Sequence, residues 1–176
     1  MKDKISVLIS EEEIKNTVKR LADEINSFYK KDDEVIAVGI LKGCFVFLAD
    51  IIRQINCDPR ICFMEVSSYG NGSVSTGTIN IKKDIDVDIT DKNILIIEDI
   101  IDSGNTLNSL VAYFKEKNPK SVKVCTLLSK PSRRQVEFEA DYTGFVIEDR
   151  FIVGYGLDYG EKYRSLPYIA EVETND

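Results

Sequence analysis

The run Asn93-Ile94-Leu95-Ile96-Ile97 constrains what this chain can fold into more than any other segment. Consecutive aliphatic side chains without polar alternation suit a strand covered on both faces, the condition of a parallel sheet with helices above and below. A strand–helix–strand set precedes it. Val35–Ile40 reads as a buried strand, Lys42-Gly43 interrupts, Cys44–Ile55 reads as a helix, and Arg60–Ser67 returns as a strand. After the central run, residues 105–117 carry a helical pattern, and Ser121–Leu128 supplies the next strand. Further strands are expected at Gly144–Ile147 and Pro167–Val172. Near the start, Ser10 with Glu13 forms a capping-box signature, and Ile14, Val18, Leu21, Ile25 and Phe28 follow at helical spacing. That predicts an amphipathic helix over residues 11–30. The pattern as a whole predicts an α/β fold, a mostly parallel twisted sheet with helices on both faces. With no internal repeat, low-complexity tract or linker, residues 1–176 read as a single domain. Open sheets of this kind bind ligands beyond the carboxyl ends of their strands, which directs attention to the segments after Ile40 and Ile97.

Composition removes several kinds of chemistry. The 176 residues contain no histidine, which excludes Ser-His-Asp and Cys-His nucleophile systems, HExxH zinc proteases and every His-ligated metal. Thirty acidic against 23 basic residues give a net charge of −7, an unfavourable balance for a nucleic-acid or anionic-membrane partner. Cys44, Cys57, Cys62 and Cys125 show no CxxC spacing, and three of them sit inside apolar runs, where a free thiol acts as a small hydrophobe. The first ten residues lack a secretory apolar core, and no apolar stretch reaches the ~20 residues of a membrane span. A reducing, cytoplasmic setting is the expectation.

The segment after the central strand carries most of the functional information. Glu98 and Asp99 are followed by a turn, Asp102-Ser103-Gly104-Asn105-Thr106, that opens a helix. Free N–H groups at a helix start attract phosphate, Gly104 permits close backbone approach, and Ser103 and Thr106 add hydroxyl donors. No GxxxxGK[ST] is present, so a monophosphate fits better than the β/γ-phosphates of ATP. Paired carboxylates a few residues upstream can accept hydrogen bonds from two neighbouring ribose hydroxyls. A plainer alternative is that Asp102 or Ser103 merely caps the helix while Glu98 and Asp99 are solvated.

This stretch resembles the phosphoribosyl diphosphate (PRPP) motif of the type I phosphoribosyltransferases. The chain is similar over nearly its whole length to the hypoxanthine-guanine phosphoribosyltransferases, through Leu41-Lys42-Gly43, Ser67-Ser68-Tyr69-Gly70, Leu127-Leu128-Ser129-Lys130 and the segment from Phe151 to Tyr159. The resemblance implies transfer of 5-phosphoribosyl from PRPP to N9 of hypoxanthine or guanine, giving IMP or GMP and pyrophosphate. It also implies a small hood built from the terminal segments, roughly 1–10 and 148–176. It assigns Glu98 and Asp99 to the ribose 2- and 3-hydroxyls, and Ser103, Gly104, Asn105 and Thr106 to the 5-phosphate. Asp102 becomes the proton acceptor and donor at purine N7. Leu41, Lys42 and Gly43 bind pyrophosphate, with a cis peptide between Leu41 and Lys42. Residues 68–78 form a mobile lid in which Ser68 and Tyr69 reach the diphosphate. Lys130 donates to purine O6, Phe151 stacks on the base, the Ile152 main chain reads its edge, and Arg164 contacts pyrophosphate. Mg²⁺ is the implied cofactor, with Glu98, Asp99 and Asp158 as its carboxylates, and a dimer or tetramer the implied assembly.

Each of these residues also has an ordinary reading. Lys42 and Lys130 can be solvated lysines, Phe151 core, and residues 68–78 a plain hairpin around Asn71-Gly72. Gly154, Gly156 and Gly160 form GxGxxxG rather than the dinucleotide GxGxxG. Asn105 stands where some relatives carry a basic residue, so phosphate binding would lean on N–H groups and hydroxyls; Gly160 replaces an asparagine common in the family. A PRPP- or nucleotide-sensing RNA-binding regulator and a phosphoribosyltransferase for another base stay open as other readings.

Overall fold

A computed structural model describes residues 4–68 and 79–173, with Ser68 by its backbone alone. Tyr69, the Asn71-Gly72 turn and the remainder of the expected lid lie outside the described residues, as do residues 1–3 and 174–176 of the expected hood.

The order along the chain is β1 (Lys4–Ile9), α1 (Glu11–Phe28), β2 (Val35–Leu41), α2 (Phe45–Ile52), β3 (Arg60–Ser68), β4 (Ile79–Lys83), β5 (Asn93–Ile101), α3 (Asn105–Lys115), β6 (Ser121–Ser129), β7 (Tyr142–Val146), β8 (Ile152–Val153) and β9 (Ile169–Glu173). Six strands form one sheet in the order β4-β3-β2-β5-β6-β7, parallel throughout except for β4, which pairs antiparallel with β3. Alternation along the strands supplies both faces. Ala37, Leu95, Ile97, Cys125 and Leu127 join the core under α1 and α2. Ile36, Val38, Ile94, Ile96 and Val124 join the core under Leu107, Leu110 and Phe114 of α3. Such fully buried aliphatics each contribute roughly 1.5–3 kcal/mol. A second, three-stranded antiparallel sheet, β1-β9-β8, draws on both ends of the described chain, as expected of a hood. All four cysteines are free and buried, and burial pushes the Cys44 and Cys125 thiols up. Among the described residues no helix is long and apolar enough to cross a membrane.

Two boundaries differ from expectation for identifiable reasons. Helix α2 ends at Ile52 rather than Ile55, because Asn26 of α1 donates its Nδ2 to the Gln54 carbonyl at 2.9 Å and accepts the Asn56 amide at 2.8 Å. Strand β5 extends to Ile101 rather than Ile97, because β6 keeps pairing with it through Glu98↔Thr126, Ile100↔Leu128 and Ile101↔Ser129. The capping box holds, with Ser10 Oγ accepting from the Glu13 amide and Glu13 Oε2 from the Ser10 amide. The helix it starts ends at Phe28 rather than residue 30.

The sheet order places the switch point between β2 and β5. From β2 the chain moves to β3 on one side; from β5 it moves to β6 and β7 on the other. The carboxyl ends of β2 and β5 therefore flank a crevice.

Candidate active site

Four segments meet at that crevice. The turn after β2 carries the Leu41-Lys42 peptide in the cis form, as the resemblance implied. Gly43 follows, and a Cβ there would run into the Asp99 carboxylate, so glycine is what lets the acid pair reach the turn. A Cβ at Gly156 would meet the Gly43 carbonyl, so the loop after β8 lies directly against the same turn.

Glu98 and Asp99 are not solvated. Asp99 is 9% exposed, with Oδ1 accepting only from the adjacent Ile100 amide at 2.8 Å, and Glu98 Oε2 is buried without a hydrogen-bond partner. Burial raises both carboxyls, Glu98 well above its usual range and Asp99 to about 6, and the Asp99 charge raises Glu98 further. The native fold thus holds the Asp99 proton more tightly than the unfolded chain, whose value is near 3.8. Stability from this group is present below pH 3.8 and is lost as pH rises through about 6. Replacing Asp99 by Asn should therefore stabilise the chain above pH 6 in chelator, by on the order of 2 kcal/mol. Urea unfolding at pH 5 and pH 7.5 measures this; an Asn variant less stable than wild type at pH 7.5 would contradict it.

The turn after β5 is held from one side. The Ile101 carbonyl accepts from the Lys130 amide at 2.9 Å, and the Ser103 carbonyl from the Gln135 amide at 2.9 Å. Between them the Arg134 guanidinium donates to the Ile101 and Asp102 carbonyls at 2.9 and 2.5 Å. Gly104, at φ +81°, precedes α3, leaving the first amides of that helix without intrahelical partners. A cavity of about 270 Å³ opens in front of this turn, lined among others by Leu41, Glu98, Asp102, Ser103, Gly104 and Thr106. Asn105 is turned the other way, its Nδ2 donating to Gln135 Oε1 at 2.7 Å.

Lys130, at the end of β6, is 7% exposed. Its Nζ donates to the Arg150 carbonyl at 2.7 Å and lies 3.8 Å from Asp102 Oδ1 and 3.6 Å from Asp149 Oδ1. A solvated lysine does not fit this description. Phe151 is 47% exposed rather than core and meets the Tyr159 ring edge-to-face, with centroids 5.1 Å apart. Ile152 buries its side chain and pairs its backbone with Glu171.

Past β8, Arg164 NH2 pairs with Asp158 Oδ1 at 2.9 Å and with Glu161 Oε2 at 3.3 Å, while Glu161 Oε1 pairs with Lys42 Nζ at 3.1 Å. Arg164 Nε is buried without a partner. Glu98, Asp99 and Asp158 do not share one centre, since no three-ligand cluster forms among the described residues. A divalent cation nonetheless fits the acid pair, whose buried Glu98 Oε2 is otherwise unsatisfied. Magnesium commonly takes one or two carboxylates and completes its shell with water and phosphate oxygens.

Arg134, Asp149 and Glu161 were not singled out in the sequence. Arg134 follows Pro131-Ser132-Arg133, where an arginine reads as solvated, and no spacing betrays its partners. A larger cavity, about 660 Å³, lies between α1, α2 and residues 164–167 and shares only Arg164 with the residues above.

The geometry has close counterparts. The family model described as the phosphoribosyl transferase domain matches residues 9–160. The chain is 53% identical over 163 residues to the hypoxanthine-guanine phosphoribosyltransferase of Bacillus subtilis, covering 93% of this chain and 90% of that one. It is 50% identical to the hypoxanthine phosphoribosyltransferase of Buchnera aphidicola, covering 98% of each. A crystal structure of a hypoxanthine-guanine phosphoribosyltransferase from Bacillus anthracis superimposes with a TM-score of 0.92 at 50% identity, covering 98% of this chain and all of that one. A parallel sheet whose switch point gathers a cis turn, a buried acid pair and a phosphate-shaped turn is thus matched in sequence and structure, and the chain belongs to the phosphoribosyl transferase family, within its hypoxanthine-guanine phosphoribosyltransferase group.

Proposed function

We propose that this phosphoribosyltransferase moves the 5-phosphoribosyl group of PRPP to N9 of hypoxanthine or guanine, giving IMP or GMP and pyrophosphate for purine salvage. The single observation that carries the choice of base is the pair Lys130 Nζ and Asp102 Oδ1, a donor and an acceptor 3.8 Å apart. A 6-oxopurine with its proton on N7 presents an acceptor, O6, beside a donor, N7–H, on one edge. As N9 attacks C1′ and the bond to pyrophosphate breaks, the N7 proton passes to the Asp102 carboxylate.

The other residues take roles consistent with their positions. Glu98 and Asp99 accept from the ribose hydroxyls. The amides and hydroxyls of Ser103, Gly104 and Thr106 bind the 5-phosphate, and Asn105 contributes its amide alone, because its side chain is committed to Gln135. Phe151 stacks on the base, and Leu41, Lys42, Gly43 and Arg164 receive pyrophosphate. Ser68 and Tyr69 are assigned to the lid by resemblance only. Magnesium held by Glu98, Asp99 and Asp158 would neutralise the diphosphate as it leaves. The setting is the cytoplasm, the partners are small molecules rather than nucleic acid or membrane, and the assembly is a homo-oligomer.

The pyrophosphate cations are engaged by Glu161 in the free chain. Exposed pairs of this kind are worth about 0.2–1 kcal/mol. Glu161→Gln should therefore tighten pyrophosphate binding by roughly 1.5- to 5-fold in calorimetry; unchanged or weaker binding would refute the competition. The function itself is tested by a Mg²⁺-dependent assay with PRPP and hypoxanthine, guanine or xanthine. IMP and GMP formation is expected, and no transfer to either 6-oxopurine would overturn the reading.

A further inference from the structure

We propose that Arg134 is a positioning residue for the 5-phosphate site, setting the direction of the loop amides without touching substrate. The proposal rests on the placement of phosphate at residues 103–107 argued above. One guanidinium makes five contacts. NH1 donates to the carbonyls of Ile101 at 2.9 Å, Asp102 at 2.5 Å and Lys130 at 3.3 Å, NH2 donates to Ser129 Oγ at 2.7 Å, and Nε donates to the Phe138 carbonyl at 3.1 Å. The fork therefore ties the loop carrying Asp102 to the strand end carrying Lys130.

The consequence follows from peptide planarity. Carbonyl and following N–H of a trans peptide point in opposite directions. With the carbonyls of Ile101 and Asp102 taken by Arg134, and that of Ser103 by the Gln135 amide, the N–H groups of Asp102, Ser103 and Gly104 are aimed away from the 130–138 segment. Successive amides turned to one side form an anion-binding concavity. Gly104 completes the fit, because a Cβ there would lie 3.3 Å from Arg134 Cδ and 3.2 Å from Val136 Cγ2. This chain has Asn105, tied to Gln135, in place of a basic side chain on the phosphate loop. Arg134 thus acts on the phosphate through the backbone. Lysine cannot replace it, since a single ammonium cannot span carbonyls on three segments.

The test is calorimetry on the full chain and its Arg134→Lys and Arg134→Gln variants, with IMP and with magnesium pyrophosphate as separate probes. IMP affinity is expected to fall by roughly 10- to 100-fold, the scale of lost charge-assisted hydrogen bonds to the loop. Pyrophosphate affinity, which depends on the β2 turn and Arg164, is expected to stay within about 2-fold. Equal losses for both probes, no loss for IMP, or failure of both variants to fold would each overturn the assignment and leave Arg134 a purely structural residue or a dispensable one. A wild-type chain that binds neither probe would instead overturn the proposed function, and this inference with it.

Discussion

Replacing Asp102 by Asn is expected to lower turnover by roughly 10²–10⁴-fold while leaving the KM for PRPP within a few-fold. The split follows from how the residue is used. Its backbone belongs to the phosphate turn, with the carbonyl held by Arg134, and neither depends on the side chain's charge. The carboxylate is exposed to the crevice and stands beside the Lys130 ammonium, where it can receive a proton from the base. Asn has nearly the same shape and keeps the backbone contacts, but it has no basic oxygen to take that proton. Steady-state kinetics with hypoxanthine as acceptor measures the effect. Near-normal turnover would remove Asp102 from proton transfer, and a loss confined to KM would make it a binding residue instead.

The second large effect concerns the base. Wild-type enzyme is expected to prefer hypoxanthine over adenine by roughly 10⁴ in kcat/KM, and Lys130→Gln to erase most of that preference. Lys130 Nζ is buried and fixed by the Arg150 carbonyl at 2.7 Å, so it cannot swing away from an incoming group. Opposite O6 it gains an acceptor. Opposite the 6-amino group of adenine it faces another donor, and a buried ammonium is left short of a partner. Glutamine carries both a donor and an acceptor and can turn either toward the base. Comparable wild-type rates on the two bases would defeat this explanation, as would a Gln variant that keeps full discrimination.

Much of the fold was legible because it rests on local chemistry. The aliphatic run at 94–97 announced a doubly covered strand, and Ser10 with Glu13 announced a helix start. What could not be read depended on contacts between distant segments. That β5 would continue through Glu98 and Asp99 is decided by pairing with β6, and that α2 would stop at Ile52 is decided by Asn26. Strands β1, β4 and β8 are short or lie at sheet edges, with too few residues to set a period. The same division runs through the site. The turn at 102–106 and the acid pair stand out as residues, but their burial does not, nor does the cis bond before Lys42. Lys130 looked like any lysine after a strand until Arg150 closed over it. Arg134 lay hidden because its partners are backbone carbonyls, which carry no signature in side-chain identity.

Crystals of this chain soaked with IMP offer the most direct measurement. Phosphate density is expected within hydrogen-bonding distance, roughly 3 Å, of the amides of residues 103–107, with the ribose hydroxyls on Glu98 and Asp99. A nucleotide bound elsewhere, with the turn after β5 left empty, would contradict the placement on which every role assigned here depends.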